Sequence, residues 1–251
     1  MSVAGFNFPQ ATLDYRTEVA IGSVSNVASF GKYGQRINIG NNNTEDVWCA
    51  DDDIRFDLVS PERMSIVSTS DADVFGGGGG ANTILVYGVD GDWNEVIETV
   101  ELNGTTPVLT IATMLRVNFL LTASTGGQGN DGDITIASEI TDHVQDIVPA
   151  GDGYSCSTFY SVPKGRRILI PNIHCSIDRR EEGQLVLKVK TVTNSDSYIT
   201  AFKMYLFEST ISLTDQYFSF DEMTDIKFQV ETLTGGLSTN CFYSIFQFPK
   251  T

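Results

Sequence analysis

Asp71-Ala72-Asp73-Val74-Phe75 is followed by five consecutive glycines, Gly76 to Gly80, and then by Ala81-Asn82-Thr83-Ile84-Leu85-Val86-Tyr87-Gly88-Val89-Asp90. A polar turn, Gly91-Asp92-Trp93-Asn94, leads into Glu95-Val96-Ile97-Glu98-Thr99-Val100-Glu101-Leu102-Asn103-Gly104-Thr105-Thr106-Pro107-Val108. A second pair of apolar runs closes on Gly129-Asn130-Asp131-Gly132-Asp133-Ile134-Thr135-Ile136. The apolar runs are short, rich in Val, Ile, Leu and Thr, and fenced by Gly, Asn or Asp. That pattern is the mark of short strands joined by tight turns. No run keeps a helical period over a useful length. Antiparallel sheet is therefore expected, with Asp90 to Asn94 as a hairpin turn. Thr83, Leu85 and Tyr87 fall on one face of their strand and Ile84 and Val86 on the other, so that strand is expected to be covered on both sides. Val108 to Leu115 and Arg116 to Ala123 are nearly continuous and read as one bent strand or a pair, with a helical turn over Thr110 to Leu115 as the alternative.

Before this stretch the pattern weakens. Phe6, Phe8 and Pro9 stand among polar residues, Gly31, Gly34 and Gly40 break up the next segment, and Asn41-Asn42-Asn43 marks a loop. Residues 1–60 read as an extended arm with one or two short strands, such as Arg36 to Ile39. An arm of this kind buries too little apolar area to order itself and gains order against a neighbour. Met64 to Ser68 opens the first β region, 61–148. Pro149-Ala150-Gly151-Asp152-Gly153 reads as a linker, and the second β region spans 149–251. Six strands are expected there: 158–162, 166–177, 185–192, 198–208, 226–233 and 241–248. Ile226, Phe228 and Val230 against Lys227, Gln229 and Glu231 give the cleanest apolar-in, polar-out alternation. The expected fold is all-β: antiparallel sandwich or jelly-roll-like regions behind an extended N-terminal arm.

Charge and composition limit the function. The chain has 251 residues, 10% of them aromatic, and a formal net charge of -16 from 32 acidic and 16 basic residues. Such a surface has no electrostatic basis for gripping nucleic acid or an anionic membrane. No apolar run approaches the roughly 18 residues that span a bilayer, and the first residues lack the pattern of a signal peptide. Cys49, Cys156, Cys175 and Cys241 show no Cys-x-x-Cys spacing and are expected as buried free thiols, with a zinc site around His174-Cys175 the minor alternative.

Catalytic signatures are missing from the sequence. The two histidines, His143 and His174, stand in no His-Glu-x-x-His motif, and no Gly-x-Ser-x-Gly elbow is present. The pentaglycine is followed by a strand and no basic residue, so it is not a phosphate loop; it reads as a mobile loop or a place where another backbone comes close. Asp90, Asp92, Asn94, Glu98 and Glu101 imitate calcium-loop spacing, but Glu95 stands where the sharp turn needs glycine, and the flanks read as strands. Asp51-Asp52-Asp53, Asp71 with Asp73, and Asn130 to Asp133 are further acidic turns. No catalytic, cofactor or metal residue is assigned.

The order Asp-x-Asp, glycine-rich turn, strand, Gly-x-Asp, then Glu95 to Val108, resembles a pattern in structural proteins of tailed bacteriophage particles, and Thr224 to Phe228 is similar to their C-terminal part. The resemblance covers the middle and last thirds of the chain. It implies a non-enzymatic virion protein assembled in the host cytoplasm. The first expectation is a capsid decoration or cement protein, homo-oligomeric with a trimer favoured, binding other virion proteins of the capsid or neck. The alternatives are a glycan-binding host-recognition module of a tail fibre or baseplate, or a neck or tail component. No heptads or repeats mark a fibre stem. The aromatics of the arm, Phe6, Phe8, Tyr15, Phe30 and Tyr33, are the expected interface anchors.

Overall fold

Alternation of buried and exposed residues places the strands. In Met64-Ser65-Ile66-Val67-Ser68 the even positions are buried, and Ile134 and Ile136 repeat the pattern. The computed structural model describes Val19, Gly22 and residues 24–52, 54–127, 129–178, 182–191, 197–206, 210–233 and 236–250. Among them run sixteen strands. β1 (Ala28–Ile39) and β2 (Thr44–Asp46) come first. β3 (Glu62–Ser68), β4 (Ala81–Val89), β5 (Glu95–Glu101), β6 (Val108–Met114), β7 (Arg116–Thr125), β8 (Ile134–Ser138) and β9 (Val144–Val148) come next. The last group is β10 (Tyr160–Ser161), β11 (Arg166–Ile177), β12 (Gly183–Thr191), β13 (Ile199–Leu206), β14 (Thr210–Phe220), β15 (Thr224–Thr232) and β16 (Leu237–Pro249). Every pairing between them is antiparallel.

β3 to β9 form a seven-stranded sandwich, with sheet order β6-β3-β8-β9 facing β5-β4-β7. Met64, Ile66, Ile84, Val86, Met114, Val117, Leu120, Ile134 and Ile136 fill its core. The near-continuous run 108–123 is two strands in different sheets. The chain crosses over at Leu115, whose N–H donates to the Val89 carbonyl at 2.8 Å. The expected hairpin joins β4 to β5: Asp90 Oδ1 accepts the N–H of Asp92 at 2.9 Å and of Asn94 at 2.8 Å, and Trp93 takes a positive φ of 64°. β4 is covered on both sides as expected. Ile84 and Val86 face the core, while Tyr87 stacks on Phe119 at 4.6 Å, and Phe119 lies 6.0 Å from Phe30 of β1.

The remaining strands form two facing sheets. One has the order β1-β16-β11-β14; the other has β10-β15-β12-β13, with β2 also on β15. Numbered along the sandwich itself, with β2 and β10 sharing the second position, these orders are 1-8-3-6 and 2-7-4-5. Eight strands in that order are a jelly roll. Its core holds Tyr160, Ile168, Ile170, Ile173, Leu185, Leu187, Ile226, Phe228, Tyr243 and Ile245. The first sandwich is therefore an insertion within the second strand of the jelly roll, between its two halves β2 and β10.

This topology corrects the expected arm and boundaries. Residues 28–46 are not an arm: β1 pairs with β16 from Ala28↔Gln247 to Arg36↔Thr239, and β2 pairs with β15. β1 looked unpatterned because Lys32 and Gly34 are inward positions. Lys32 is fully buried, and a Cβ at Gly34 would run into the Val47 carbonyl. β9 and β14 were also missed. Gln145 and Asp146 of β9 are buried polar residues, and the β11–β14 register shifts between Ile170 and Asn172, which breaks the alternation of β14.

Candidate functional site

The five expected anchors separate. Phe6, Phe8 and Tyr15 lie outside the described residues. Phe30 points inward, 5.4 Å from Tyr160, and packs on the jelly-roll core, so it is a contact within the chain. Tyr33 points to the outer face of its sheet, in register with Phe242 of β16. Sequence reasoning grouped these two because both are large aromatics in a weakly patterned segment. The parity of the strand separates them.

A buried polar seam joins the insertion to the jelly roll, and its residues carried no sequence signal. Lys32 donates to the Asn118 carbonyl at 2.5 Å and to Ser157 Oγ at 3.3 Å. Burial pulls its pKa down to about 8, against the attraction of Asp146. Asp146 accepts from Ser157 Oγ at 3.0 Å, and burial raises its pKa despite Lys32. Asn118 of β7 and Ser161 of β10 exchange two hydrogen bonds, at 2.9 and 2.7 Å. Arg116 of β7 places two nitrogens on Asp225 of β15, at 3.2 and 3.1 Å, and donates to the Leu58 carbonyl at 2.7 Å. Ser161 Oγ also donates to Asp225, at 2.5 Å.

Asp57 sits among three cations: Lys190 at 3.1 Å, Arg55 at 3.7 Å and Arg116 at 3.9 Å. Burial alone would raise its pKa, but the three cations hold it down to about 2. Asp46 takes Lys227, Gln229 and the Arg55 N–H, and Arg55 lies 3.9 Å over the Phe159 ring.

At the stem of the insertion, Trp48 and Ser157 form an antiparallel bridge. Next to it Cys49 and Cys156 are joined by a disulfide, with Cα atoms 5.5 Å apart. The expectation of four free thiols is corrected here: the bridge brings these two residues opposite each other, a pairing invisible at a sequence separation of 107. Cys175 and Cys241 are free and buried, facing one another across β11 and β16.

The acidic turns prove to be hydrogen-bond hubs. Asp73 is fully buried and accepts from Ser68 Oγ (2.6 Å) and from the N–H groups of Ala81 (2.7 Å), Asp131 (2.8 Å) and Gly132 (2.9 Å). Burial opposes its ionisation, yet these donors hold its pKa below the usual carboxylate range. The pentaglycine is the place of close backbone approach. A Cβ at Gly78 would strike the Ala72 carbonyl, one at Gly80 the Asp73 carboxylate, and one at Gly126 the Gly78 carbonyl. Beside it lies a cleft of about 690 Å³ walled by Gly79, Gly80, Gly126, Gly127, Asn130 and Asp131. Among the described residues no group of three or more His, Cys, Asp or Glu side chains is placed to hold a metal ion.

No protein-family model matches the sequence, and no curated protein matches it. Weak structural likenesses come from viruses. A chain from the triple jelly roll fold and turret assembly of an archaeal virus is 12% identical, over 86% of this chain and 60% of that one, with a TM-score of 0.25. A chain of the naturally occurring empty particles of cowpea mosaic virus is 11% identical, over 78% of this chain and 84% of that one, with a TM-score of 0.20. One from infectious bursal disease virus Gt strain is 9% identical, over 94% and 78%, also at 0.20. This chain thus spans less than two thirds of the archaeal virus protein. With TM-scores this low, the jelly-roll assignment rests on the strand order alone.

Proposed function

We propose that this chain is a non-enzymatic structural component of a tailed-phage virion, and specifically a capsid decoration or cement protein that binds neighbouring shell subunits. One observation carries the proposal: a jelly roll bears an inserted β-sandwich fixed to it by a buried polar seam and a disulfide at the stem. That is a rigid two-body block, suited to work by shape. A jelly roll also serves lectins and cupins, so the fold supports a class of roles. The resemblance of residues 71–108 to phage structural proteins narrows it. The insertion carries thirteen acidic and two basic residues between Leu58 and Val148. It is the half that repels other copies, which leaves contacts to the jelly roll and the N-terminal residues.

Phe6, Phe8 and Tyr15 remain proposed anchors on neighbouring subunits, and a trimer is the favoured assembly. Assembly in the host cytoplasm belongs to the same reading, and the Cys49–Cys156 disulfide does not support it, because cytoplasmic thiols are kept reduced. The test is to count copies per purified particle, with intact protein and with residues 1–23 deleted. Hundreds of copies, lost on deletion, are expected. A dozen or fewer copies would move the protein to the neck or tail, and full loading of the deleted form would remove the anchoring role of these residues.

A further inference from the structure

We infer that Cys175 and Cys241 are a dithiol poised to close into a second disulfide, one that ties the C-terminal strand β16 to β11 through the jelly-roll core. The inference is independent of the virion role. Its first support is the register. The Asp178 N–H donates to the Ser238 carbonyl at 3.1 Å, which makes 178 and 238 a hydrogen-bonded pair of the β11–β16 ladder. Such pairs alternate with non-hydrogen-bonded pairs along antiparallel strands. The register runs without a shift from Ile173↔Tyr243 to Ile177↔Thr239, so Cys175↔Cys241, three positions from Asp178, is a non-hydrogen-bonded pair. In that kind of pair the Cα atoms lie about 4.5 Å apart and the side chains come closest. A disulfide spans Cα separations of roughly 4.4–6.8 Å. Both side chains belong to the jelly-roll core, so they share one face of the sheet. On its other flank Cys241 stands opposite Gly34 of β1, which has no side chain to meet it.

The two thiols already interact. A hydrogen bond from Cys241 holds the Cys175 thiol below its ordinary pKa, and Cys175 Sγ also lies 3.4 Å from Thr239 Oγ1. Burial, with the same bond between the sulfurs, pushes Cys241 up. Cys175 is therefore the nucleophile and Cys241 the resolving thiol. The oxidant is a small disulfide, such as oxidised glutathione. The Cys175 thiolate attacks one of its sulfurs, forms a mixed disulfide and expels one glutathione thiolate, which takes up the Cys175 proton. Cys241 then loses its proton, attacks Cys175 Sγ and expels the second glutathione, which leaves as a thiol. Two protein thiols give up two electrons, and one glutathione disulfide becomes two thiols. The second step needs no access from outside, because its sulfurs are neighbours. The first step does. β11 and β16 are the inner strands of their sheet, so the oxidant meets Cys175 while the chain folds or when the sheet opens. A medium that closes Cys49–Cys156 holds such an oxidant. Once closed, the second bond keeps β16, which lies between β1 and β11, from leaving the sheet.

The test is to unfold, reduce and refold the full chain in a glutathione buffer whose ratio closes Cys49–Cys156 completely. The product is alkylated under denaturing conditions, and its peptides are mapped by mass spectrometry. A peptide pair linked through Cys175 and Cys241 is expected, with alkylation lost at both residues relative to the reduced protein. Cys241→Ala removes the resolving thiol and should stop the reaction at a glutathione adduct on Cys175. Alkylation of both Cys175 and Cys241 in the refolded natural chain, with Cys49–Cys156 closed, overturns the inference. So does a glutathione adduct on Cys175 that persists while Cys241 is present, or a link from Cys175 to Cys49 or Cys156.

Discussion

The insertion and the seam beneath it use polar residues in opposite ways. In the insertion most charges stay outside: β5 keeps Glu95 and Glu101 exposed while Val96 and Val100 turn toward a core of apolar side chains. The buried carboxylates, Asp73 and Glu62, are held by hydrogen-bond donors, with no ion pair among the described residues. At the seam the charges are inside. Lys32, Asp46, Asp146, Arg55, Arg116 and Asp225 are all nearly or fully enclosed. The first arrangement derives its stability from area removed from water. The second derives less net stability from each ion pair, because desolvation offsets the attraction, but it penalises any state in which one partner is missing. An apolar junction would tolerate sliding. A junction of matched charges and paired amides has one register, and that is what a rigid building block needs.

The sharpest way to break this contrast is Arg116→Leu. It leaves Asp225 facing a lost partner and Asp57 short of one cation, and should cost roughly 3–5 kcal/mol, measured by urea denaturation. A cost below about 1 kcal/mol would mean that the seam is wet and weak. Reducing the Cys49–Cys156 bond comes next. It frees a loop of about a hundred residues at the stem and should lower stability by about 2–4 kcal/mol. Cys49→Ser should reproduce the loss and be insensitive to reductant; equal stability of the reduced and oxidised proteins would show that the Trp48–Ser157 β-bridge holds the stem without the disulfide.

Acid titration separates the regions further. Asp57 has a folded pKa of about 2, below its ordinary 3.8. A carboxylate with a depressed folded pKa contributes stability above its unfolded pKa and loses it as pH falls through the folded one. The contribution of Asp57 should therefore drop by roughly 2 kcal/mol between about pH 4 and pH 2, against the opposite contribution of Asp46 and Asp146, whose folded pKa values are raised by burial, and Asp57→Asn should flatten the slope. Asp73 acts in the same direction within the insertion. Asp73→Asn weakens four hydrogen bonds and should cost about 1–3 kcal/mol, seen as faster amide exchange at Ala81 and Gly132. The smallest effect is expected at the exposed turn, where Asp92→Ala should stay within about 0.5 kcal/mol.

Legibility in the sequence divided along the same line. β3, β4, β8, β11 and β12 are readable because their buried positions hold Ile, Val, Leu, Met or Phe at a period of two. β15 is found by the same period, but its expected polar-out face is corrected: Lys227 and Gln229 are buried against Asp46, because β15 is covered on both sides. β1 and β9 are not readable, because Lys32, Gln145 and Asp146 occupy buried positions and reverse the expected polarity. Strand order, and with it the insertion of one sandwich into the other, depends on pairings more than a hundred residues apart, such as Ala28 with Gln247. Local periodicity carries no information about those. The acidic turns were visible as clusters, but the role of Asp73 depends on donors from residues 68, 81, 131 and 132, which only the fold assembles.

Calorimetric unfolding of the oxidised full chain at neutral pH tests the rigid-block account most directly. A seam that welds the two sandwiches makes them melt together, in a single transition whose calorimetric and van't Hoff enthalpies agree. Two separate transitions in the unmodified protein, one for the insertion and one for the jelly roll, would contradict it.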